Sequence, residues 1–223
     1  LIQMMENAGR HLATLAREML GGAVEGKFIV VLAGRGNNGG GGMVAARRLA
    51  NWGANLRVLL SASPEKYRDG TAQQLAILQK MGVPVMAGPP RRASQRADLI
   101  LDALIGYGLR GAPRGVTANL IRAANHALSE ANVASGAKII ALDAPSGLDT
   151  TTGEIYQPCI RASATLTLAL PKIGLLENGA REFVGDLYVA DIGVPPQVYA
   201  AMGMDAPNIF ARAEIVRVKE TKE

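Results

Sequence analysis

The stretch Lys27–Gly42, KFIVVLAGRGNNGGGG, decides how the rest of the chain is read. Its first half, Lys27–Ala33, is a continuous apolar run rich in β-branched residues, as expected of a strand covered on both faces. Its second half, Gly34–Gly42, packs six glycines into nine residues, and a helix is expected from about Met43 to Trp52. Upstream, Leu1–Leu20 carries Leu1, Met4, Met5, Ala8, Leu12, Leu15, Ala16 and Met19 at three- and four-residue spacing, a helical stripe that Gly21-Gly22 closes. Downstream the alternation continues. Strands are expected at Asn55–Leu60, Val83–Met86, Ala97–Asp102 and Lys138–Leu142, with helices at Arg68–Met81 and Val116–Ala131. Later strands fall at Ala164–Leu168 and Asp186–Ala190, with a short helix after Pro196. This order predicts an α/β fold with a mostly parallel sheet and helices on both faces. No linker, repeat or low-complexity tract divides the chain, so residues 1–223 are read as a single domain.

Composition narrows the chemistry. Apolar residues make up 48% of the 223, enough for a sizeable core and too many for a disordered chain. Aromatics are only 4%, which suits base stacking poorly. The net charge of +5 favours a small anionic ligand at least as well as a polyanion, and nucleic acid is not the expected partner. The pairs Arg47-Arg48 and Arg91-Arg92 read more simply as a solvated helix face and a loop than as an RNA surface. Cys159 is the single cysteine, which excludes an internal disulfide and is expected to be a buried small hydrophobe. No run approaches the ~20 apolar residues that span a bilayer. The chain opens on Leu1, so a targeting segment is not legible, and the cytoplasm is the default compartment.

Ligands of doubly wound sheets sit outside the carboxyl ends of the strands, and three loops here leave such ends. In the first, Gly34, Gly36 and Gly39 satisfy G-x-G-x-x-G, an arrangement that brings backbone N–H groups to a pyrophosphate at a helix N-terminus. The end of the following strand holds Ser61 and Ser63 and no acid before Glu65, unlike an ordinary NAD-dependent dehydrogenase. No Lys-Ser/Thr follows the glycines, so a Walker loop fails too. A flexible turn is the plainer alternative, against which the glycine density and the pair Asn37-Asn38 weigh. In the second loop, Asp102 could hold a cation or a hydroxyl while Arg110 suits phosphate; capping of a turn by Asp102 explains it equally well. In the third, Asp143 directly follows a buried strand, where desolvation can raise a carboxylate pKa and equip it for acid/base work. Ser146 is not expected to be a triad nucleophile, because His11 and His126 both lie on predicted helices and no G-x-S-x-G elbow is present. Asp149 ahead of three threonines reads as an Asx-type turn. Lys172 either reaches the same face or points to solvent.

Six segments in order resemble the NAD(P)H-hydrate epimerase family, the YjeF N-terminal domain. They are Met5-Glu6-Asn7-Ala8-Gly9, Gly36-Asn37-Asn38-Gly39-Gly40, Asp102-Ala103-Leu104-Ile105-Gly106-Tyr107-Gly108-Leu109, Asp143-Ala144-Pro145-Ser146-Gly147-Leu148-Asp149, Pro171-Lys172-Ile173-Gly174-Leu175 and Asp191-Ile192-Gly193-Val194-Pro195. The resemblance implies a Rossmann-like three-layer sandwich that forms a homodimer and interconverts the R and S epimers at C6 of hydrated NADH or NADPH (NADHX and NADPHX). It also implies functional coupling to an ATP- or ADP-dependent dehydratase that repairs the S form. Carried over by motif, Asn37, Asn38, Gly39, Gly40 and Gly41 would line the substrate pocket with Gly106, Tyr107, Gly108, Leu109, Arg110, Gly111 and Ala112. Asp143 would contact the substrate and act as the catalytic residue. Asn38, Asp102 and Ser146 would give oxygens to one potassium ion per subunit, a donor set suited to a hard cation. Arg35, Arg110 and Lys172 are expected to offset the substrate's phosphates. One position departs from the family loop, which usually reads Asn-Asn-Gly-Gly-Asp-Gly: residue 41 here is glycine. Gly41 motivates a second reading, a non-catalytic nucleotide-binding or protein-interaction module of the same fold.

Overall fold

A computed structural model describes residues 1–89, 97–129 and 138–218. Helix α1 is Ile2–Met19, β1 is Phe28–Ala33, α2 is Asn37–Asn51 and β2 is Asn55–Leu60. Then follow α3 (Asp69–Lys80), β3 (Val85–Ala87), β4 (Leu99–Ala103), α4 (Gly115–Ser129) and β5 (Lys138–Leu142). The chain closes with β6 (Ala164–Leu168), α5 (Arg181–Val184), β7 (Asp186–Ala190), α6 (Pro196–Ala201) and β8 (Ile215–Arg217). The strands form one sheet in the order β3-β2-β1-β4-β5-β6-β7-β8. Every neighbouring pair is parallel except β7 with β8. The chain therefore winds outward from β1 to one edge and then from β4 to the other. That reversal opens a crevice at the carboxyl ends of β1 and β4, where doubly wound sheets bind ligands.

Period-two alternation divides the core between the two faces. Val31, Leu101 and Leu142 join Leu12, Met43, Leu49 and Leu78 on the face covered by α1, α2 and α3. Leu32, Ile100 and Ile139 join Leu120 and Ile121 of α4 on the other. A smaller cluster with Leu148, Cys159, Leu175, Phe183 and Leu187 lies under the later loops. Cys159 is buried, and burial pushes its thiol up to about 12, so it packs as a small apolar residue. No helix among the described residues is long and apolar enough to cross a membrane.

Three sequence readings change. The glycine run is not a loop as far as Gly42: α2 begins at Asn37, and Gly39 to Gly42 are buried inside its first turns. Isolated glycines cost a helix about 1 kcal/mol each, but at Gly39 and Gly42 the neighbouring loop and strand approach so closely that a side chain is excluded. A Cβ on Gly39 would lie 1.9 Å from the Gly34 carbonyl oxygen, and one on Gly42 would lie 2.5 Å from Ala103 Cβ. Second, β8 pairs antiparallel on the far edge, and its three residues carry too short a pattern to be read as a strand. Third, Arg47-Arg48 is not a solvated face. Arg47 is half-buried and donates to Glu6 of α1 at 2.6 and 2.8 Å and to Gln74 of α3 at 3.1 Å, tying three helices together. Arg91-Arg92 and the end of the helix expected to reach Ala131 lie outside the described residues.

Candidate functional site at the carboxyl ends of the strands

The strands deliver the three loops to one place. Ala33 of β1 is in register with Ala103 of β4, and Asp102 of β4 with Ala141 of β5. The chain therefore leaves all three strands at the same height. Between them opens a cavity of about 870 Å³, within the usual range for a small-molecule site. Asn37, Asn38 and Gly41 line it, as do Gly106, Tyr107, Gly108, Leu109, Arg110, Gly111, Ala112, Asp143 and Lys172. Gly39 and Gly40 face elsewhere, the first onto Gly34 and the second onto Met5. Asp102 and Ser146 are fully buried in the floor behind the loops. His11 is buried on α1, and His126 lies on α4.

The three glycines of the first motif have distinct physical roles. Gly34 must be glycine because a Cβ there would sit 1.9 Å from the Leu104 carbonyl oxygen, and Gly39 because of its contact with Gly34. Gly36 meets nothing within 4 Å, so its backbone is open to an approaching ligand at the start of α2. This division into turn, ligand approach and close helix packing is the one that dinucleotide-binding loops require.

Asp143 is the most constrained residue of the site. Its φ of 68° lies in the left-handed region, which non-glycine residues adopt at a cost and usually for a reason. Its backbone N–H donates to the Leu166 carbonyl at 2.8 Å, fixing the turn. Its carboxylate then meets two donors: Lys172 Nζ at 2.6 Å on Oδ1 and the Tyr107 N–H at 2.9 Å on Oδ2. Lys172 is held from behind by Thr167 Oγ1 at 2.8 Å and the Leu168 carbonyl at 2.9 Å. Lys172 is thus neither a solvent-facing side chain nor a loose phosphate clamp; it is a fixed partner of Asp143. Gly106 separates Asp143 from Asn38, since a Cβ there would meet Asp143 Oδ2 at 2.7 Å and Asn38 Cγ at 3.3 Å.

Beneath this layer, Ser146 joins the second and third loops. Its hydroxyl donates to Asp102 Oδ1 at 2.7 Å, its N–H to Oδ2 at 2.8 Å, and it accepts from the Ile105 N–H at 2.9 Å. Complete burial pushes the Asp102 carboxyl up to about 6, against the hydrogen bonds from Ser146 and Leu104. Asn38 donates from Nδ2 to the Leu142 carbonyl at 3.1 Å, yet its Oδ1 is buried without a partner. A buried amide oxygen facing no donor is expensive, and it suits a cation. Asp149 forms its expected turn, accepting from Thr151 and Thr152 N–H groups that hold its carboxyl below the usual range.

Sequence reasoning overlooked the wall that α1 builds. Leu1, Met4, Met5 and Ala8 all line the cavity. Their helical spacing reads as core, and nothing in that spacing distinguishes a core stripe from one that leans over a crevice. The clue was Gly9, where a Cβ would lie 2.5 Å from the Gly41 carbonyl oxygen: a small residue that lets α1 close on α2.

Known proteins extend this picture. The chain is 43% identical over its whole length to a protein of Dehalogenimonas lykanthroporepellens named NAD(P)H-hydrate epimerase, covering 86% of it. It is 39% identical over 89% of its length to a Moorella thermoacetica protein named bifunctional NAD(P)H-hydrate repair enzyme Nnr, and spans 37% of that longer chain. Among solved structures, a yeast protein described as ynu0 superposes with a TM-score of 0.75 at 25% identity, covering 97% of this chain and 89% of the yeast one. The family model described as YjeF-related protein N-terminus matches residues 1–174. With more than two thirds of its length matched in order, the chain belongs to the YjeF-related protein N-terminus family.

Proposed function

We propose that this protein is an NAD(P)H-hydrate epimerase, an isomerase that interconverts the R and S forms of hydrated NADH and NADPH at C6. The observation that carries the mechanism is Asp143, strained into the left-handed region and gripped by Lys172 at the wall of the cavity. In the proposed route to inversion at C6 the hydroxyl leaves and returns on the other face. Departure breaks the C6–O bond, the oxygen leaves as water after taking a proton, and the ring nitrogen's electron pair fills the gap. Return reverses the account: water adds to C6 and gives up a proton. Asp143 gives that proton to the departing hydroxyl and takes one back from the incoming water, and Lys172 orients its carboxyl group. Asn37, Asn38, Gly41 and the loop from Gly106 to Ala112 bind the substrate, with Gly39 and Gly40 supporting that wall from within α2. Arg35 and Arg110 face its phosphates.

The partnerless Asn38 Oδ1 fits a potassium ion held with Asp102 and Ser146, one per subunit. When bound, the ion supplies a fixed positive charge that ties the first two loops together. The subunits pair as a homodimer in the cytoplasm, and the S-hydrate passes to a nucleotide-dependent dehydratase. The Moorella relative, named as bifunctional, supports that coupling. The non-catalytic reading prompted by Gly41 is not favoured, since relatives 35–43% identical are named as epimerases or repair enzymes. The test supplies pure R-hydrate with an S-specific dehydratase. Repair of R faster than the uncatalysed background is expected, and loss of that gain in Asp143→Asn. No acceleration by the native protein sinks the proposal.

A further inference from the structure

The end of β2 is the part of the cavity to which the epimerase mechanism assigns no reacting group. Ser61 and Arg35 both line the cavity there, and the Ser61 N–H bonds to the Ala33 carbonyl at 3.0 Å, placing Ser61 directly beside the first loop. Tyr67 donates to the same Ala33 carbonyl at 2.8 Å and stiffens the corner. Arg35 is exposed and has no carboxylate within ion-pair reach among the described residues. Its neighbours at the strand end are Ser61, Ala62 and Ser63; the first acid, Glu65, is exposed and pairs with Ser63 and its own backbone N–H.

From Asp143, at the end of β5, to Ser61, at the end of β2, the sheet takes three steps through β4 and β1. At about 4.8 Å per step that is roughly 14 Å, the scale of the separation between the two nucleoside ends of an extended dinucleotide. The N-terminus of α2, with open Gly36, lies between them, where a pyrophosphate belongs. With the hydrated ring at Asp143, the adenosine ribose arrives at Ser61 and Arg35. A carboxylate at this strand end would accept the 2′-hydroxyl of a plain ribose and repel a phosphate; an arginine with no carboxylate partner among the described residues, lining the same cavity as a serine, does the opposite.

We propose that this chain prefers the 2′-phosphorylated hydrate, NADPHX, and that Arg35 and Ser61 receive its 2′-phosphate. The inference rests on the epimerase reading of the cavity, so the experiment separates the two. Epimerisation of both R-hydrates is measured for the native protein, Arg35→Ala and Ser61→Asp. Binding of 2′,5′-ADP, 5′-ADP and 5′-AMP is measured by calorimetry on the same proteins. The native kcat/KM is expected to be at least about tenfold higher for NADPHX, consistent with one charge-assisted contact. Both variants should bring the ratio near one. Calorimetry should show 2′,5′-ADP tighter than either 5′ nucleotide, with the difference lost in Arg35→Ala. Equal kcat/KM for the two hydrates, or a ratio that Arg35→Ala leaves untouched, overturns this inference and leaves the epimerase standing. Equal binding of 5′-ADP and 2′,5′-ADP puts Arg35 on the pyrophosphate and overturns it too. Failure to epimerise either hydrate overturns the epimerase reading itself, and the nucleotide arm still tests the phosphate site.

Discussion

Asp143 and Lys172 form the contact to which the proposed mechanism assigns the proton transfer, and each can be removed without opening a cavity. Asp143→Asn keeps the shape and the bond from Tyr107 but gives up the proton-accepting carboxylate; kcat should fall about 10²–10⁴-fold, the usual worth of a positioned acid/base group. Lys172→Met should also lower kcat, with Lys172→Arg restoring part of it if orientation of Asp143 is the role. The R-hydrate assay reads both. The glycines of the first loop separate packing from binding equally cleanly. Gly34→Ala drives a methyl to 1.9 Å from the Leu104 carbonyl oxygen and should cost about 3 kcal/mol in urea unfolding, at the upper end for overpacking. Gly36→Ala points into open space and should cost under about 1 kcal/mol, its effect appearing in KM instead. The sequence announced that these glycines mattered, since six in nine residues demand a cause. Which carbonyl excluded the Gly34 Cβ was beyond it, because that atom belongs to Leu104, seventy residues further along the chain.

At the scale of elements, α1 is where the local pattern and the tertiary result part. Its apolar stripe predicts a buried face, and the structure buries His11 along with it. Burial lowers the His11 pKa, and neighbouring Arg10 lowers it further. The unfolded chain therefore binds a proton near the ordinary value of about 6.5 while the folded chain still resists it. Stability supplied by neutral His11 is complete above that value and is lost as pH falls through the interval down to the folded pKa, with a slope of at most about 1.4 kcal/mol per pH unit. Asp102, whose carboxyl is raised, acts with the opposite sign: it favours the folded state at low pH and loses that contribution as pH rises through about 6. The two are told apart by comparing variants. His11→Asn should flatten the decline below pH 6.5 relative to the native protein in chemical denaturation across pH, and an unchanged difference curve would remove His11 from the account. Helix α2 teaches the complementary lesson. Local propensity argues against a helix over Asn37–Gly42, yet packing between α1 and the sheet outweighs it.

For the whole molecule, one continuous sheet and cores on both faces predict a single cooperative unfolding transition, with coincident midpoints by fluorescence and circular dichroism. Replacing choline chloride by potassium chloride at constant ionic strength should stabilise the protein, by about 2.7 kcal/mol once the ion reaches a hundred times its Kd. Asn38→Ala should abolish that gain. The sequence alone determined the α/β alternation, the three loops at strand ends, the family and the glycines that admit a ligand, because each is written in local periodicity or in contiguous motifs. Only the tertiary structure decided that Lys172 belongs to Asp143, that α1 walls the cavity, that Asn38 Oδ1 lacks a donor and that Arg35 and Ser61 line the same cavity. Those facts depend on the order in which parallel strands assemble, and a doubly wound sheet makes neighbours of residues far apart in the chain.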